Sequence, residues 1–150
     1  MSRQLYYKDF AVGQRMESAR SQTVEKADTI AFALLYDPQA FHIDEKAAKD
    51  TVVGELIASG WHTAAVSMRL KLETDLRHVA GGLLGLGVEN LRWPRPTMPG
   101  DTLRIVITIL EKRLSNSKPG KGIIKYRLET LNQKDELMME MVTAVIVPVG

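Results

Sequence analysis

In the second half of the chain, apolar and polar positions alternate with a period of two. Leu103, Ile105, Ile107 and Ile109 alternate with Arg104, Val106, Thr108 and Leu110, and Ile124, Tyr126 and Leu128 alternate with Lys125, Arg127 and Glu129. That period sends successive side chains to opposite faces of an extended strand and so predicts antiparallel strands. A further strand is predicted from about Leu137 to Val147, and another from Gly85 to Trp93. Ser117-Lys118-Pro119-Gly120 and Asn132-Gln133-Lys134-Asp135 supply turn residues between them.

The first half has a different rhythm. After a short strand expected over Met16 to Thr23, Ala27, Ile30, Ala31, Leu34 and Leu35 fall at helical spacing, which predicts one apolar face on a helix ending near Tyr36, before Pro38. Asp44 is placed to cap a short second helix, with Glu45 in its first turn and Lys49 toward its end. The longest helix is read from the stripe Ile57, Trp61, Ala64, Ala65, Met68 and Leu72. Small residues at Ala58, Gly60, Ala64 and Ala65 would let its start lie close to a sheet. Helices early and strands late predict an α+β fold, an antiparallel sheet packed on one long helix. The strands Leu103–Leu110 and Leu137–Val147 carry apolar residues on both faces. A second layer or a second subunit must cover them, and a homodimer is expected.

Composition narrows the class. A chain of 150 residues is long enough for one core, so residues 1–150 are read as a single domain. It has no cysteine, which removes disulfides, thiolate metal sites and cysteine nucleophiles and fits a reducing cytoplasm. No apolar run approaches the roughly 20 residues of a membrane span, and the polar stretch Met1 to Asp9 lacks a signal-peptide core. A net charge of +2 is too small to argue for nucleic acid.

The candidate chemistry lies in three blocks. In Tyr36-Asp37-Pro38-Gln39-Ala40-Phe41-His42-Ile43-Asp44, an acid stands five residues before a histidine, and Pro38 predicts irregular backbone for both. An Asp and a His brought to one water can take a proton from it and deliver one elsewhere. Taken alone, Asp37 reads equally as a turn former before proline and His42 as a satisfied histidine between Phe41 and Ile43. The other blocks are Ile57-Ala58-Ser59-Gly60-Trp61-His62 and Trp93-Pro94-Arg95-Pro96-Thr97-Met98-Pro99-Gly100-Asp101. His62 is read as structural, because two residues of helix turn it away from Gly60. His78 has no partner in view, no spacing suits a metal, and Ser59 and Ser67 lack a histidine relay.

In that order the three blocks resemble the MaoC-like branch of the hot-dog-fold proteins, the (R)-specific enoyl-CoA hydratases and dehydratases. The resemblance runs from about Phe10 to Pro148. It implies a curved antiparallel sheet wrapped around a central helix, and addition of water to, or its removal from, an enoyl thioester. It also implies Asp37 and His42 as the catalytic pair, and Gly60 as the residue whose N–H holds the thioester oxygen. Gln39 stands where the family usually has Asn, Ala40 where it has Pro, and Ser59 where it has His. The substrate would be an acyl-CoA or acyl-carrier thioester, with Phe41, Ser59, Trp61, Arg92 and Arg95 in contact with it. Arg113, Lys118 and Lys121 are further candidates for coenzyme A phosphates. No cofactor is implied, since coenzyme A belongs to the substrate. The assembly would be a homodimer or a dimer of dimers, in the cytoplasm. Thioester hydrolysis on the same fold and a non-catalytic acyl-thioester-binding subunit remain the alternatives.

Overall fold

The computed structural model describes residues 3–150. Residues 1 and 2, the start of the polar N-terminal stretch, lie outside the described residues. The long strands form where the period-two pattern predicts them: β3 (Leu84–Arg92), β4 (Thr102–Leu114), β5 (Lys121–Leu131) and β6 (Leu137–Pro148). Two short strands precede them, β1 (Arg15–Glu17) and β2 (Gln22–Thr23). They replace the single strand expected over Met16 to Thr23. The chain leaves the ladder at Ser18, whose hydroxyl accepts the Ile105 N–H at 3.1 Å, and Ala19 N–H turns to the Glu73 carbonyl. Both short strands pair with β4, and every pairing in the sheet is antiparallel, in the order β1-β4-β5-β6-β3.

Turn chemistry fixes the register. Asn132 Oδ1 accepts the N–H groups of Lys134 and Glu136, and Asp135 takes a left-handed φ of 60° between β5 and β6. Gly120, at φ 74°, closes the β4–β5 hairpin. Inward residues Leu103, Ile105, Ile107 and Ile109 of β4 and Ile124, Tyr126 and Leu128 of β5 form the core with Met138, Met139 and Val145. At roughly 25 cal/mol per Å² of apolar area removed from water, this surface is the main favourable term in folding. Val106, on the other face of β4, is also buried.

Four helices lie among these strands: α1 (Lys26–Tyr36), α2 (Ala40–Ile43), α3 (Glu45–Ala48) and α4 (Gly60–Lys71). Asp44 caps α3 as expected, its carboxylate accepting from the Lys46 and Ala47 N–H groups. Helix faces are where the sequence reading fails. The face predicted for α1 is exposed at Ala27, Ala31, Leu34 and Leu35, and the helix buries Thr29 and Ala33 instead. On α4 the predicted stripe is exposed at Trp61, Ala65, Met68 and Leu72, Ile57 precedes the helix, and the buried positions are His62, Thr63, Val66, Ser67, Leu70 and Lys71.

The reason lies in paired hydroxyls. Ser67 Oγ lies 2.6 Å from Thr130 Oγ1 on β5 and donates to the Thr63 carbonyl, while Thr63 Oγ1 donates to Thr97 Oγ1 at 2.9 Å. Small hydroxyls whose hydrogen bonds are satisfied allow close helix–sheet contact at little desolvation cost. Val66 and Leu70 supply the apolar contact beside them.

Candidate active site

Helix α1 stops because Pro38 cannot continue it, and Asp37 takes the cap position with non-helical φ −154° and ψ 65°. One residue after Gln39 the chain makes the single turn α2, so His42 sits on helical backbone and not on the irregular loop expected. The two side chains still meet: His42 Nε2 lies 3.2 Å from Asp37 Oδ2. His42 Nδ1 lies 2.7 Å from the Ile57 carbonyl oxygen. A carbonyl only accepts, so Nδ1 carries a proton and Nε2 of the neutral ring presents a lone pair. In the neutral ring two acceptors thus face each other, reconciled by a water that donates to both; in the protonated ring Nε2–H donates to Asp37 Oδ2.

Both oxygens of Asp37 are further engaged. Gln39 Nε2–H donates to Oδ1 at 2.6 Å, and the Ser59 hydroxyl donates to Oδ2 at 2.7 Å. Partial burial alone would raise the carboxyl's pKa. The bonds from Gln39 and Ser59, with the neighbouring His42, outweigh it and hold the group below its ordinary value of 3.8. Asp37 is therefore ionised throughout the neutral range.

The pair opens on a cleft of about 350 Å³ lined also by Ile57, Ala58, Gly60, Trp61 and Thr63 on one side and by Trp93, Arg95, Pro96 and Thr97 on the other. Gly60 is the first residue of α4, where a helix has no acceptor of its own for the N–H and carries the positive end of its dipole. Trp93 lies against it: a Cβ at position 60 would come within 2.5 Å of the indole ring. The bare Cα thus serves the packing of Trp93, which in turn meets Trp61 edge-on with centroids 5.2 Å apart.

Not every expected contact residue reaches this cleft. Trp61 and Arg95 line it, and Arg95 Nη1 is paired with Glu136 at 3.1 Å. Ser59 is fully buried and spends its hydroxyl on Asp37 and on capping α4 through the Trp61 N–H. It is not among the residues that line the cleft. Phe41 does not line the cleft either; its ring stands edge-on to His42 at 4.6 Å. Arg92 points elsewhere and pairs with Glu140 of β6, and Arg113, Lys118 and Lys121 do not line the cleft.

His62 is buried as expected, with its ring stacked 4.7 Å from Phe32 of α1 and its Nδ1 without a partner. Burial pushes its pKa below the usual 6.5, against a smaller opposing effect of Asp28. Ile57 and Trp93 are the participants the sequence reading missed. Ile57 acts through its backbone, which carries no signal in residue type. Trp93 closes the strand expected over Gly85 to Trp93, and nothing in that period tells that its ring lies against Gly60.

Gly60→Ala is expected to displace the Trp93 ring, because overpacking of this kind costs about 1–3 kcal/mol unless the neighbour moves. The near-ultraviolet circular dichroism of the tryptophan pair should change while the far-ultraviolet spectrum is retained; an unchanged tryptophan signal would contradict the packing described.

A model of the MaoC like domain family matches residues 9–131. The solved structure of a MaoC-like dehydratase from Rhodospirillum rubrum is 44% identical to the chain and superposes with a TM-score of 0.90, covering 97% of this chain and 98% of that one. The uncharacterised protein YdeM of Bacillus subtilis is 30% identical over 139 residues, which is 93% of this chain and 96% of YdeM. The mesaconyl-CoA hydratase of Cereibacter sphaeroides is 28% identical over 148 residues, 95% of this chain but 40% of that longer protein. With that match, and with an antiparallel sheet packed on α4 as in the hot-dog fold, the chain belongs to the MaoC-like domain family, whose members include hydratases and dehydratases.

Proposed function

We propose that the protein adds water to a trans-2-enoyl thioester, or removes it from the (R)-3-hydroxyacyl thioester, with Asp37 and His42 as the catalytic pair. The observation that carries this reading is the convergence of Asp37 Oδ2 and His42 Nε2 at 3.2 Å on the wall of an otherwise largely apolar cleft. A water donating to both acceptors is fixed in place with its own lone pair directed outward.

In hydration the water oxygen bonds to the β-carbon as the carbon–carbon double bond opens toward the α-carbon. Asp37 orients the water and accepts its proton, and that proton passes by way of His42 Nε2 to the α-carbon, which returns both groups to their starting state. Charge builds on the thioester oxygen as the double bond opens, and the Gly60 N–H at the start of α4 is a donor for it. Trp61 and Trp93 then wall the acyl group, and Arg95 offers a cation at the cleft for the coenzyme A or carrier end. Dehydration uses the same groups in reverse.

We also infer a homodimer. β3 pairs with β6 along one side, and its other edge is open: Leu84, Leu86 and Val88 are exposed, as are Leu34, Leu35 and Tyr36 of α1 and Trp61 and Met68 of α4. An unpaired nine-residue strand with exposed Leu84, Leu86 and Val88 is a template for another strand, and an antiparallel partner around a twofold axis is a second copy of the same strand. Light scattering at micromolar concentration should give twice the mass of 16.7 kDa, and a Val88→Pro variant should run as a monomer. A monomeric wild type would refute the interface.

The activity is tested by following loss of the conjugated-enoyl absorbance and release of free thiol together, on short, medium and branched trans-2-enoyl-CoA substrates. Absorbance should fall without thiol release, and Asp37→Asn and His42→Ala should each lower kcat on the order of a hundredfold or more. Thiol release by the wild type would make the protein a thioesterase. Acyl-CoA binding with no turnover, unaffected by Asp37→Asn, would make it a binding subunit.

A further inference from the structure

We propose that Ser59 and Gln39 are positioning residues for the reaction, a two-point clamp that holds one oxygen each of the Asp37 carboxylate and leaves Oδ2 directed at His42 Nε2 and the cleft. The inference rests on the reading of Asp37 as the residue that orients the water.

The geometry assigns the roles. Asp37 ends a helix, and its side chain is 20% exposed, so nothing in its own backbone prevents the carboxylate from rotating into solvent. Gln39, two residues on and surface-exposed, reaches back to Oδ1 at 2.6 Å. Ser59 reaches Oδ2 at 2.7 Å from a segment 22 residues away in sequence. A carboxylate offers about four acceptor positions. Two are taken by the clamp, and those remaining on Oδ2 face the imidazole.

Ser59 has a second partner, the Trp61 N–H, at 3.3 Å. Helix capping alone explains that longer bond and leaves the shorter bond to Asp37 unaccounted for. The hydroxyl has one hydrogen, and it points to the carboxylate. Ser59 is fully buried and its hydroxyl has no further partner among the described residues, so removing the hydroxyl leaves Oδ2 short of a donor and does not open a route to solvent.

The clamp also governs protonation. The charged and titratable groups facing the carboxylate are His42 of α2 and, across the cleft, Arg95, whose guanidinium is engaged by Glu136. The N-terminus of α4 adds a partial positive charge behind Ser59. Alongside these, and against the partial burial that would raise the pKa, the two neutral donors stabilise the ionised form of Asp37, so removing either shifts its titration upward toward the ordinary value.

The test reads the Asp37 carboxyl directly, by carbon-13 NMR titration of the full-length protein, with the resonance assigned by its loss in Asp37→Asn. Ser59→Ala and Gln39→Ala should each move the titration to higher pH, and Ser59→Thr, which keeps the hydroxyl, should move it less than Ser59→Ala. With a crotonyl-CoA probe, the two alanine variants should lower kcat by about tenfold or more with KM little changed, since misorientation of a reacting group costs rate before binding. The acid limb of the kcat/KM profile should move the same way as the NMR titration. An unmoved carboxyl titration in the folded alanine variants would overturn the clamp. Gln39→Ala, at an exposed position, decides the matter if Ser59→Ala does not fold. Full turnover by Asp37→Asn alongside the shifted titrations would instead defeat the reading of Asp37 as the residue that orients the water and leave the clamp as a structural feature.

Discussion

The site depends on keeping a carboxylate and an imidazole 3.2 Å apart with their acceptor atoms facing. Such a pair is not self-stabilising. With Nδ1 committed to the Ile57 carbonyl, the neutral imidazole meets the carboxylate lone pair to lone pair, and a donor has to come between them or a proton be shared. The surroundings hold the two groups in place despite this. Ile57 fixes the ring through Nδ1, Pro38 ends α1 so that Asp37 can turn toward it, and the donors from Gln39 and Ser59 keep Asp37 charged and oriented.

The rest of the fold can be understood as a support for this arrangement. The long antiparallel strands provide a core deep enough that α4 lies against them through Val66 and Leu70. The buried hydroxyl pairs Ser67–Thr130 and Thr63–Thr97 fix the helix's rotation about its own axis. That rotation sets where the helix begins relative to the cleft, and its beginning carries Ser59, Gly60 and Trp61. Thr97 is tied in twice, by its side chain to Thr63 and by its carbonyl to the Ala58 N–H at 2.9 Å. The loop after β3 is thereby anchored, and it brings Trp93 over Gly60 and Arg95 to the cleft. Catalytic geometry and fold are thus joined through a few polar contacts at a helix start.

Much of this was legible in the sequence, and the failures have a common physical origin. Alternation over Leu103–Leu110 and Ile124–Glu129 identified strands because period-two burial depends on local backbone geometry alone. That Asp37, His42 and Gly60 share one cleft was legible because their spacing resembles that of a known family. Helix faces were not, because α1 and α4 each carry apolar residues on more than one side. For α4 the sheet takes the side whose polar groups find partners, and those partners, Thr97 and Thr130, lie far away in sequence. The apolar stripe Trp61, Met68 and Leu72, predicted to face the sheet, instead joins the exposed surface. Ser59 and Phe41 do not line the cleft although they adjoin Asp37 and His42 or Gly60 in sequence or space, because proximity along the chain does not set which side of the cleft wall a side chain occupies.

The central claim is that one water is held jointly by Asp37 and His42 while the Gly60 N–H receives the thioester oxygen. A high-resolution crystal structure with a saturated acyl-CoA, which binds but cannot be hydrated, tests it most directly. The account predicts a single ordered water within hydrogen-bond distance of Asp37 Oδ2 and His42 Nε2, on the side of the acyl β-carbon, with the thioester oxygen on Gly60. An acyl chain bound outside the cleft, or a thioester carbonyl carbon in place of the β-carbon opposite the bound water, would contradict it.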